Sequence, residues 1–354
     1  MDRADLKPAG EASALWRASD FPSRDAFAYD LTPAHVAALE KAVTVARASG
    51  KSMTDTTKAD FPLGDAAYAI AAIGHEVTQG RGFVLARGFP ADRLALDDMV
   101  WMYWGIGCHW GRAVSQSLRG DRLGHVLDAS KGKPGARGYR SSQELHFHND
   151  SDDIVGLLCL RQGKSGGDSL LLNALGIHDA LLRENPAALA LLYEGWRYDW
   201  NNQAPPGEPP ITPYKVPVFS RAVDDQGRDK VSVVYLRGHI TDAAKELTGG
   251  LSAADQAAID ALEEMMKRDT FRLEFRLAPG ELILFNNYTT FHARTAFTDH
   301  DDPAQRRHLL RLWLQAWDRR PVHENVRRYY GADGMPAQER ADQVYGGDTM
   351  EAVA

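Results

Sequence analysis

Cysteine is scarce in this chain: its 354 residues include two, Cys108 and Cys159. Two cysteines can form at most one bridge, so a disulfide-rich secreted framework is excluded and two free thiols in a reducing cytosol are expected. No apolar run approaches the roughly 20 residues that span a bilayer. The N-terminal stretch contains acidic residues and lacks the apolar core of a secretory signal. We therefore expect a cytoplasmic protein with no membrane partner.

A positive net charge is also missing. The formal charge is −7, which counts against a nucleic-acid partner because general nucleic-acid binders present a basic surface. Hydrophobic residues make up 44% of the chain and charged residues 25%, an ordinary globular composition. A sizeable core is therefore available, and the composition leaves a homo-oligomer open.

The apolar pattern divides the chain into three parts. Residues 1–80 are predicted to form a helical lead-in packed on the core. Residues 81–322 contain short apolar runs between Gly-rich turns, with a loop and helical insert near 176–268. Residues 323–354 are predicted to be a polar tail without a function. Many short strands with flanking helices predict an α+β protein with a mainly β core, a double-stranded β-helix or jelly roll.

Helices are expected where apolar residues recur at helical spacing. One begins after Thr32, a capping residue followed by proline at the first helical position. The others are predicted over 65–80, 97–104, 176–195 and, after Ser252 as its cap, 252–268.

The triplet His148-Asn149-Asp150 is the first candidate site. Side chains two apart on a strand project to the same face, so His148 and Asp150 can reach one ion while Asn149 points away. His292 follows a buried apolar run far downstream. Two imidazoles and one carboxylate can occupy one face of an octahedral Fe(II) ion, leaving three positions for an oxidisable co-substrate and O2. Arg307 lies fifteen residues after His292 (307 − 292 = 15) and could hold a distal carboxylate of that co-substrate.

Other interpretations of the triplet stay open from the residues alone. Such a pair arises often by chance and is more often a hydrogen-bonding pair than a metal site. His146 and His148 form a second same-face pair, which with Asp150 could bind zinc.

Four stretches carry a resemblance to a known family. They are GFVLARGFP (82–90), HND followed by GKSGGDS (163–169), FNNYTTFHAR (285–294) and QRRHLLRLWL (305–314). In this order they resemble the TauD/TfdA family of Fe(II)- and 2-oxoglutarate-dependent dioxygenases. The resemblance does not cover the first 80 residues, the region 196–250 or the tail.

The resemblance implies a role for each matching residue. His148, Asp150 and His292 would be the iron ligands. Because halogenating relatives replace the carboxylate with a small residue, the presence of Asp150 favours hydroxylation. Arg307 would form a bidentate pair with the distal carboxylate of 2-oxoglutarate. Ser169, where the family more often has threonine, would donate a hydrogen bond to the same carboxylate.

Substrate contacts are expected at five positions: Glu144, His146, Trp200, Arg237 and Arg311. Each has a structural alternative, namely a solvated strand edge for the first two, a pinned loop for Trp200, a surface arginine for Arg237 and an ordinary ion pair for Arg311. If both arginines faced the pocket, the substrate would be a small anion.

The sequence thus predicts an oxygenase that uses Fe(II), 2-oxoglutarate and O2 and releases succinate and CO2. It would hydroxylate an unactivated C–H bond of a small anionic or amino-acid-like substrate. The alternatives are the same chemistry on a macromolecule, or a jelly-roll binding protein without catalysis.

Overall fold

The computed structural model describes residues 6–128, 141–339 and 341. Helices within these residues are α1 (Pro33–Ala48), α2 (Ala67–Thr78), α3 (Leu96–Trp110), α4 (Ala174–Glu184), α5 (Pro186–Glu194), α6 (Arg237–Thr248), α7 (Ala253–Met266) and α8 (Glu324–Tyr330). No helix among them is long and apolar enough to cross a membrane.

The strands form two main sheets. They are β1 (Ala28–Asp30), β2 (Phe83–Arg87), β3 (Gly111–Ala113), β4 (Leu123–Val126), β5 (Leu145–His148), β6 (Ile154–Arg161), β7 (Ser165–Gly166), β8 (Ser169–Asn173), β9 (Phe219–Val223), β10 (Asp229–Val233), β11 (Arg272–Phe275), β12 (Glu281–Asn286), β13 (Thr290–Arg294), β14 (Phe297–Thr298) and β15 (His308–Ala316). The large sheet has the order β1-β2-β12-β6-β15-β3, with β4 also on β15, and the small sheet has the order β11-β8-β13-β5. Two short antiparallel pairs, β10-β9 and β14-β7, stand apart.

An apolar layer joins the two sheets. Phe83, Val155 and Phe285 from the large sheet share one buried cluster with Leu171 and Phe275 from the small sheet. Burying side chains of this size stabilises the fold by roughly 1.5–3 kcal/mol each. The sheets are therefore packed face to face, and the α+β prediction is confirmed.

Helices α1, α2 and α3 cover the outer face of the large sheet, where Leu39, Ile70 and Met102 pack in one cluster with Leu284 and Leu312. Helix α1 begins as predicted, because the Thr32 side chain accepts a hydrogen bond from the His35 amide and proline follows. Helix α3 continues past the predicted end at 104.

The predicted helix over 176–195 is two helices. Pro186 lacks an amide hydrogen, so it cannot continue α4 but fits the first turn of a new helix. The Asn185 side chain caps this second helix, α5, by accepting a hydrogen bond from the Ala188 amide. Helix α6, which begins at Arg237, was not predicted at all.

The start of the predicted tail belongs to the fold. Helix α8 buries Val326, Tyr329 and Tyr330 in the same apolar cluster as Leu181 and Leu262 from α4 and α7. Because the residues around these three are mostly polar, the sequence pattern did not predict their burial. The chain therefore continues past 322 as structured protein beside the small sheet.

Candidate metal centre

Strands β5 and β13 bring the predicted metal ligands together. His148 lies directly opposite His292 in their antiparallel pairing, and the two ring centroids are 4.2 Å apart. Asp150 approaches both: its Oδ1 lies 3.7 Å from His148 Nε2 and its Oδ2 lies 3.6 Å from His292 Nε2. The ligand atoms of all three residues lie within 4.8 Å of one another. This arrangement can hold one metal ion.

The alternation predicted for this strand is interrupted. Strand β5 ends at His148, so Asp150 reaches the cluster from the following turn. The pairing of β5 with β13 is irregular between His148 and Leu145, and a bulge of this kind re-aims side chains. The His146 side chain is 90% exposed, so the His146–His148 pair is not a metal site in this structure. Glu144 is also exposed, beside His146, and neither lines the cavity described below.

Metal binding needs an imidazole nitrogen with a free lone pair. His148 Nδ1 lies 2.7 Å from the His146 carbonyl oxygen. Because a carbonyl only accepts, Nδ1 carries a hydrogen, so Nε2 is the His148 nitrogen that remains for a metal ion. Burial, together with His148, lowers the pKa of His292 to about 4. His292 is therefore neutral near pH 7.

Asp150 is held as a carboxylate. Burial alone would raise its pKa, but the Arg311 guanidinium and the two neighbouring histidine rings outweigh burial and hold that pKa well below the usual range. Oδ2 accepts from Trp313 Nε1 at 2.8 Å and from Arg311 Nη1 at 3.3 Å. Gln116 Oε1 in turn accepts from Arg311 Nε at 2.7 Å. A substrate contact and an ion pair were the two alternatives for Arg311, and the structure shows an ion pair with Asp150.

A pair of buried asparagines, Asn149 and Asn287, fixes the turn that carries Asp150. Asn149 Nδ2 donates to the carbonyl oxygens of Asn287 at 2.6 Å and Thr290 at 2.9 Å. Asn287 Nδ2 donates to the carbonyl oxygens of Asp150 at 2.6 Å and Asp152 at 3.0 Å. The role of this asparagine pair was missed, although an amide directly after the apolar strand 281–285 is the kind of residue that satisfies buried backbone groups.

A cavity of about 570 Å³ opens beside the three ligands. Arg307 and Ser169, which were both expected to contact one carboxylate of a co-substrate, line this cavity. Arg307 is 2% exposed, and its Nε and Nη1 have no hydrogen-bond partner among the described residues. Burial lowers the pKa of Arg307 to about 10, which still leaves it charged near pH 7. A buried cation without a bonded carboxylate is costly unless a ligand supplies one, so the site fits an anionic co-substrate.

Arg294 is a further cation of this site and was not among the predicted site residues. It lines the cavity and lies opposite Ser169 in the pairing of β13 with β8. Nη2 donates to the Ser141 carbonyl at 2.9 Å, while Nη1 is buried without a partner among the described residues. Burial first, and Arg307 second, lower its pKa to about 10. The sequence signal for Arg294 was its position two residues after His292, because residues two apart on a strand project to the same face. We call the lining formed by the three predicted metal ligands, Ser169, Arg294 and Arg307 the metal end of the cavity.

Other lining residues come from distant parts of the sequence, and we call them the substrate end: Trp200, His239, Tyr329 and the segment 331–336. Trp200 stacks on Tyr329 with 4.6 Å between ring centroids, and the Tyr329 hydroxyl lies 2.7 Å from His239 Nδ1. The segment 331–336 is held beside β3, since the Ser115 amide donates to the Asp333 carbonyl and the Met335 amide donates to the Ser115 carbonyl, both at 3.0 Å.

Arg237, expected to face the substrate, lies elsewhere. It does not line the cavity, and its Nη1 forms an ion pair with Glu263 Oε2 at 2.7 Å. Helix α6 begins at Arg237 and directs the side chain toward α7, which carries Glu263. The prediction of two arginines facing a substrate anion is therefore wrong for Arg237.

Comparison with known proteins gives consistent results. The model of the family described as "Taurine catabolism dioxygenase TauD, TfdA family" matches residues 49–313. FR-33289 synthase of Streptomyces rubellomurinus is 29% identical over 315 residues, covering 87% of this chain and 91% of that protein. L-asparagine oxygenase of Streptomyces coelicolor is 27% identical over 198 residues, covering 53% of this chain and 50% of that protein.

Solved structures share the fold. Asparagine oxygenase in complex with Fe(II), 2S,3S-3-hydroxyasparagine and succinate superposes with a TM-score of 0.61 at 19% identity, covering 88% of this chain and 99% of that one. The non-heme iron oxygenase OrfP in complex with Fe and alpha-ketoglutaric acid gives a TM-score of 0.57 at 15% identity, with coverage of 88% and 100%.

Proposed function

The chain belongs to the TauD/TfdA family and is a 2-oxoglutarate-dependent non-heme iron oxygenase; from this premise we propose that it hydroxylates a C–H bond of a small amino-acid-like substrate. Succinate and CO2 would be the co-products. The observation that carries the proposal is the buried Arg307, whose Nε and Nη1 lack a partner among the described residues, in the same cavity as His148, His292 and the ionised Asp150.

His148, Asp150 and His292 would hold the iron. Their donors are two imidazole nitrogens and one carboxylate, the set that leaves half of an octahedron open. When bound, the iron supplies the activation of O2 and the oxidation of the substrate C–H bond. The protein fixes the donors beforehand through the asparagine pair, the His148–carbonyl bond and the Trp313 indole. Such outer partners orient ligands and raise metal affinity.

Arg307 would bind the distal carboxylate of 2-oxoglutarate. A guanidinium can donate two parallel hydrogen bonds to one carboxylate, and such charge-assisted bonds are strong when buried. Phe297 contributes a ring 5.0 Å from the Arg307 guanidinium, which limits its rotation. The Ser169 hydroxyl would donate a third hydrogen bond, and Arg294 would add positive potential without moving from its carbonyl partners.

The substrate would bind at the substrate end. Trp200 and Tyr329 supply a stacked aromatic wall, and His239 supplies an imidazole already hydrogen-bonded to that wall. Amino-acid-like substrates are supported by the relative named L-asparagine oxygenase. Because Arg237 is paired with Glu263 and Arg311 with Asp150, we do not assign the recognition of a substrate anion to either.

We also propose that the two packed sheets are the jelly roll expected from the sequence. The oxygenase domain then extends beyond the predicted boundary at 322, because the segment 331–336 closes one side of the cavity.

Succinate release tests this function. Purified protein with Fe(II), 2-oxoglutarate and O2 would be screened against L-amino acids and their N-acyl derivatives, with His148→Ala as the inactive control. We expect one group of substrates to stimulate succinate release and to gain one oxygen atom by mass spectrometry. Binding of 2-oxoglutarate without stimulation by any amino acid would favour a macromolecular substrate. Failure to bind iron would favour a binding protein.

A further inference from the structure

The two oxygens of the Asp150 carboxylate have different surroundings. Oδ2 accepts hydrogen bonds from the indole of Trp313 at 2.8 Å and the guanidinium of Arg311 at 3.3 Å. Each oxygen also faces one histidine beyond hydrogen-bond distance, Oδ1 with His148 Nε2 at 3.7 Å and Oδ2 with His292 Nε2 at 3.6 Å. The two oxygens therefore differ in that Oδ2 accepts hydrogen bonds from two protein donors.

We propose that Trp313 is a positioning residue: its indole N–H holds Oδ2 of Asp150, so that Oδ1 alone is left to bind the iron. This inference rests on the proposed function. An octahedral ion with three protein donors keeps three open positions, which 2-oxoglutarate, binding through two atoms, and O2 would fill. A carboxylate that chelated through both oxygens would occupy one of these positions. The hydrogen bond from Trp313 to Oδ2 would thus keep all three open metal positions available for 2-oxoglutarate and O2.

Trp313 is well suited to this task. It lies in β15, paired in register with Val155 of β6, and its carbonyl accepts from the Val114 amide at 3.0 Å. The side chain is 6% exposed. An indole nitrogen only donates, so it cannot reorient to serve as an acceptor or bind the metal itself.

Arg311 reinforces Trp313. The two residues are two apart in β15 and therefore share a face, and the guanidinium carbon lies 4.4 Å from the Trp313 ring centroid. Gln116 accepts from Arg311 Nε at 2.7 Å and donates to the Arg311 carbonyl at 2.9 Å. The second donor to Oδ2 is thus also fixed.

Two substitutions separate the donor from the bulk of the side chain. Trp313→Phe keeps an aromatic ring but removes the N–H. Trp313→His loses the outer ring but keeps a ring nitrogen at the same place relative to Cβ. Trp110→Phe is the matched control, because Trp110 is 5% exposed and its Nε1 donates to the Ile70 carbonyl at 2.8 Å, remote from Asp150.

The measurement is an anaerobic titration of each metal-free protein with Co(II) and then 2-oxoglutarate, followed by the visible spectrum, with thermal unfolding of the metal-free forms as the folding check. We expect Trp313→Phe to bind Co(II) about 10- to 100-fold more weakly than wild type and to give a different Co(II) spectrum. Trp313→His should lie closer to wild type, and Trp110→Phe should match it. Equal binding and spectra for wild type and Trp313→Phe, or equal losses for both Trp313 variants, would overturn the proposal.

Wild-type protein provides a check that needs no substitution. With 15N-labelled tryptophan, we expect one indole N–H signal to shift when Zn(II) is added, since the carboxylate that it contacts becomes a ligand. No response from any indole N–H, in protein that binds Zn(II), would overturn the role of Trp313. Absence of metal binding by wild type would instead contradict the proposed function.

Discussion

The metal end and the substrate end of the cavity are built in different ways. His148, Ser169 and His292 lie in strands of the small sheet whose backbones pair with one another, and Arg307 directly precedes β15 of the large sheet. Trp200, His239, Tyr329 and the segment 331–336 come from a loop, two helices and a stretch near the C-terminus. The proposed metal site therefore depends on paired strands, while the proposed substrate site depends on segments that meet only in the folded chain.

Buried polar groups are satisfied in part at both ends. At the metal end, Asp150 Oδ2 has two donors and the asparagine pair spans the loops on both sides, while Arg307 Nε and Nη1 and Arg294 Nη1 have no partner among the described residues. At the substrate end, Trp200 Nε1 is likewise buried without a partner in the described part of the chain. The turn that carries Asp150 is thus preorganised, and each end keeps hydrogen-bond donors for a ligand.

The largest effect is expected from Asp150→Ala. Metal affinity should fall by more than about 100-fold, since outer-shell changes alone cost 10- to 100-fold. The metal-free protein should also lose about 3 kcal/mol of stability, because Arg311 loses its buried carboxylate. Co(II) titration and thermal unfolding measure both, with the surface change Asp318→Ala as the control. Unchanged metal binding would contradict the assignment of Asp150 as a metal ligand.

Arg307→Gln should weaken 2-oxoglutarate binding by roughly 10- to 100-fold, since a hydrogen bond to a charged group contributes about 1.5–3 kcal/mol. Metal affinity should not change. Arg306→Gln is the matched control, because the adjacent Arg306 is exposed and donates to the carbonyls of His300 and Asp301. Equal affinities for the two variants would remove Arg307 from the co-substrate site.

Asn287→Ala tests the preorganisation of the metal end. Losing its side-chain bonds to the Asp150 and Asp152 carbonyls should cost about 2 kcal/mol of stability, because buried acceptors are left unsatisfied. Metal affinity should fall with it. Asn325→Ala, which removes a surface hydrogen bond to the Lys215 carbonyl, should lower neither the stability nor the metal affinity. Chemical denaturation and Co(II) titration of both variants provide the comparison, and a stable Asn287→Ala protein with normal affinity would contradict it.

Trp200→Ala should produce the smallest effect and affect the substrate end alone. We expect KM for the substrate to rise roughly 10-fold, equivalent to about 1.4 kcal/mol, because the stack with Tyr329 is lost. Trp200→Phe retains a ring and should lose less. Co(II) and 2-oxoglutarate binding should match wild type in both variants. A parallel loss of metal or co-substrate affinity would show that the two ends are not independent.

Sequence patterns predicted the metal end better than the substrate end for a physical reason. The short spacing of His148 and Asp150 placed these two near one ion, although Asp150 reaches it from the turn after β5, and the family resemblance added His292. The irregular pairing that turns His146 outward could not be foreseen, because it depends on how β5 meets β13. Arg237 was misplaced because its partner, Glu263, lies on another helix.

The same limit applies to the fold. Strands and capped helices followed from local patterns, as at Thr32 and Ser252, where both caps accept the expected amide hydrogen bonds. The break at Pro186 was visible in the sequence and was overlooked. The burial of Tyr329 and Tyr330 was not visible, since it depends on contacts with α4, α5 and α7 far along the chain.

The most direct test of the metal end is an anaerobic titration of metal-free wild-type protein with Fe(II) and then 2-oxoglutarate, followed in the visible range. We predict a weak charge-transfer band that requires both components, disappears in His148→Ala and is weakened in Arg307→Gln. Folded, iron-loaded protein that shows no such band with 2-oxoglutarate would contradict the proposed arrangement of ligands and co-substrate.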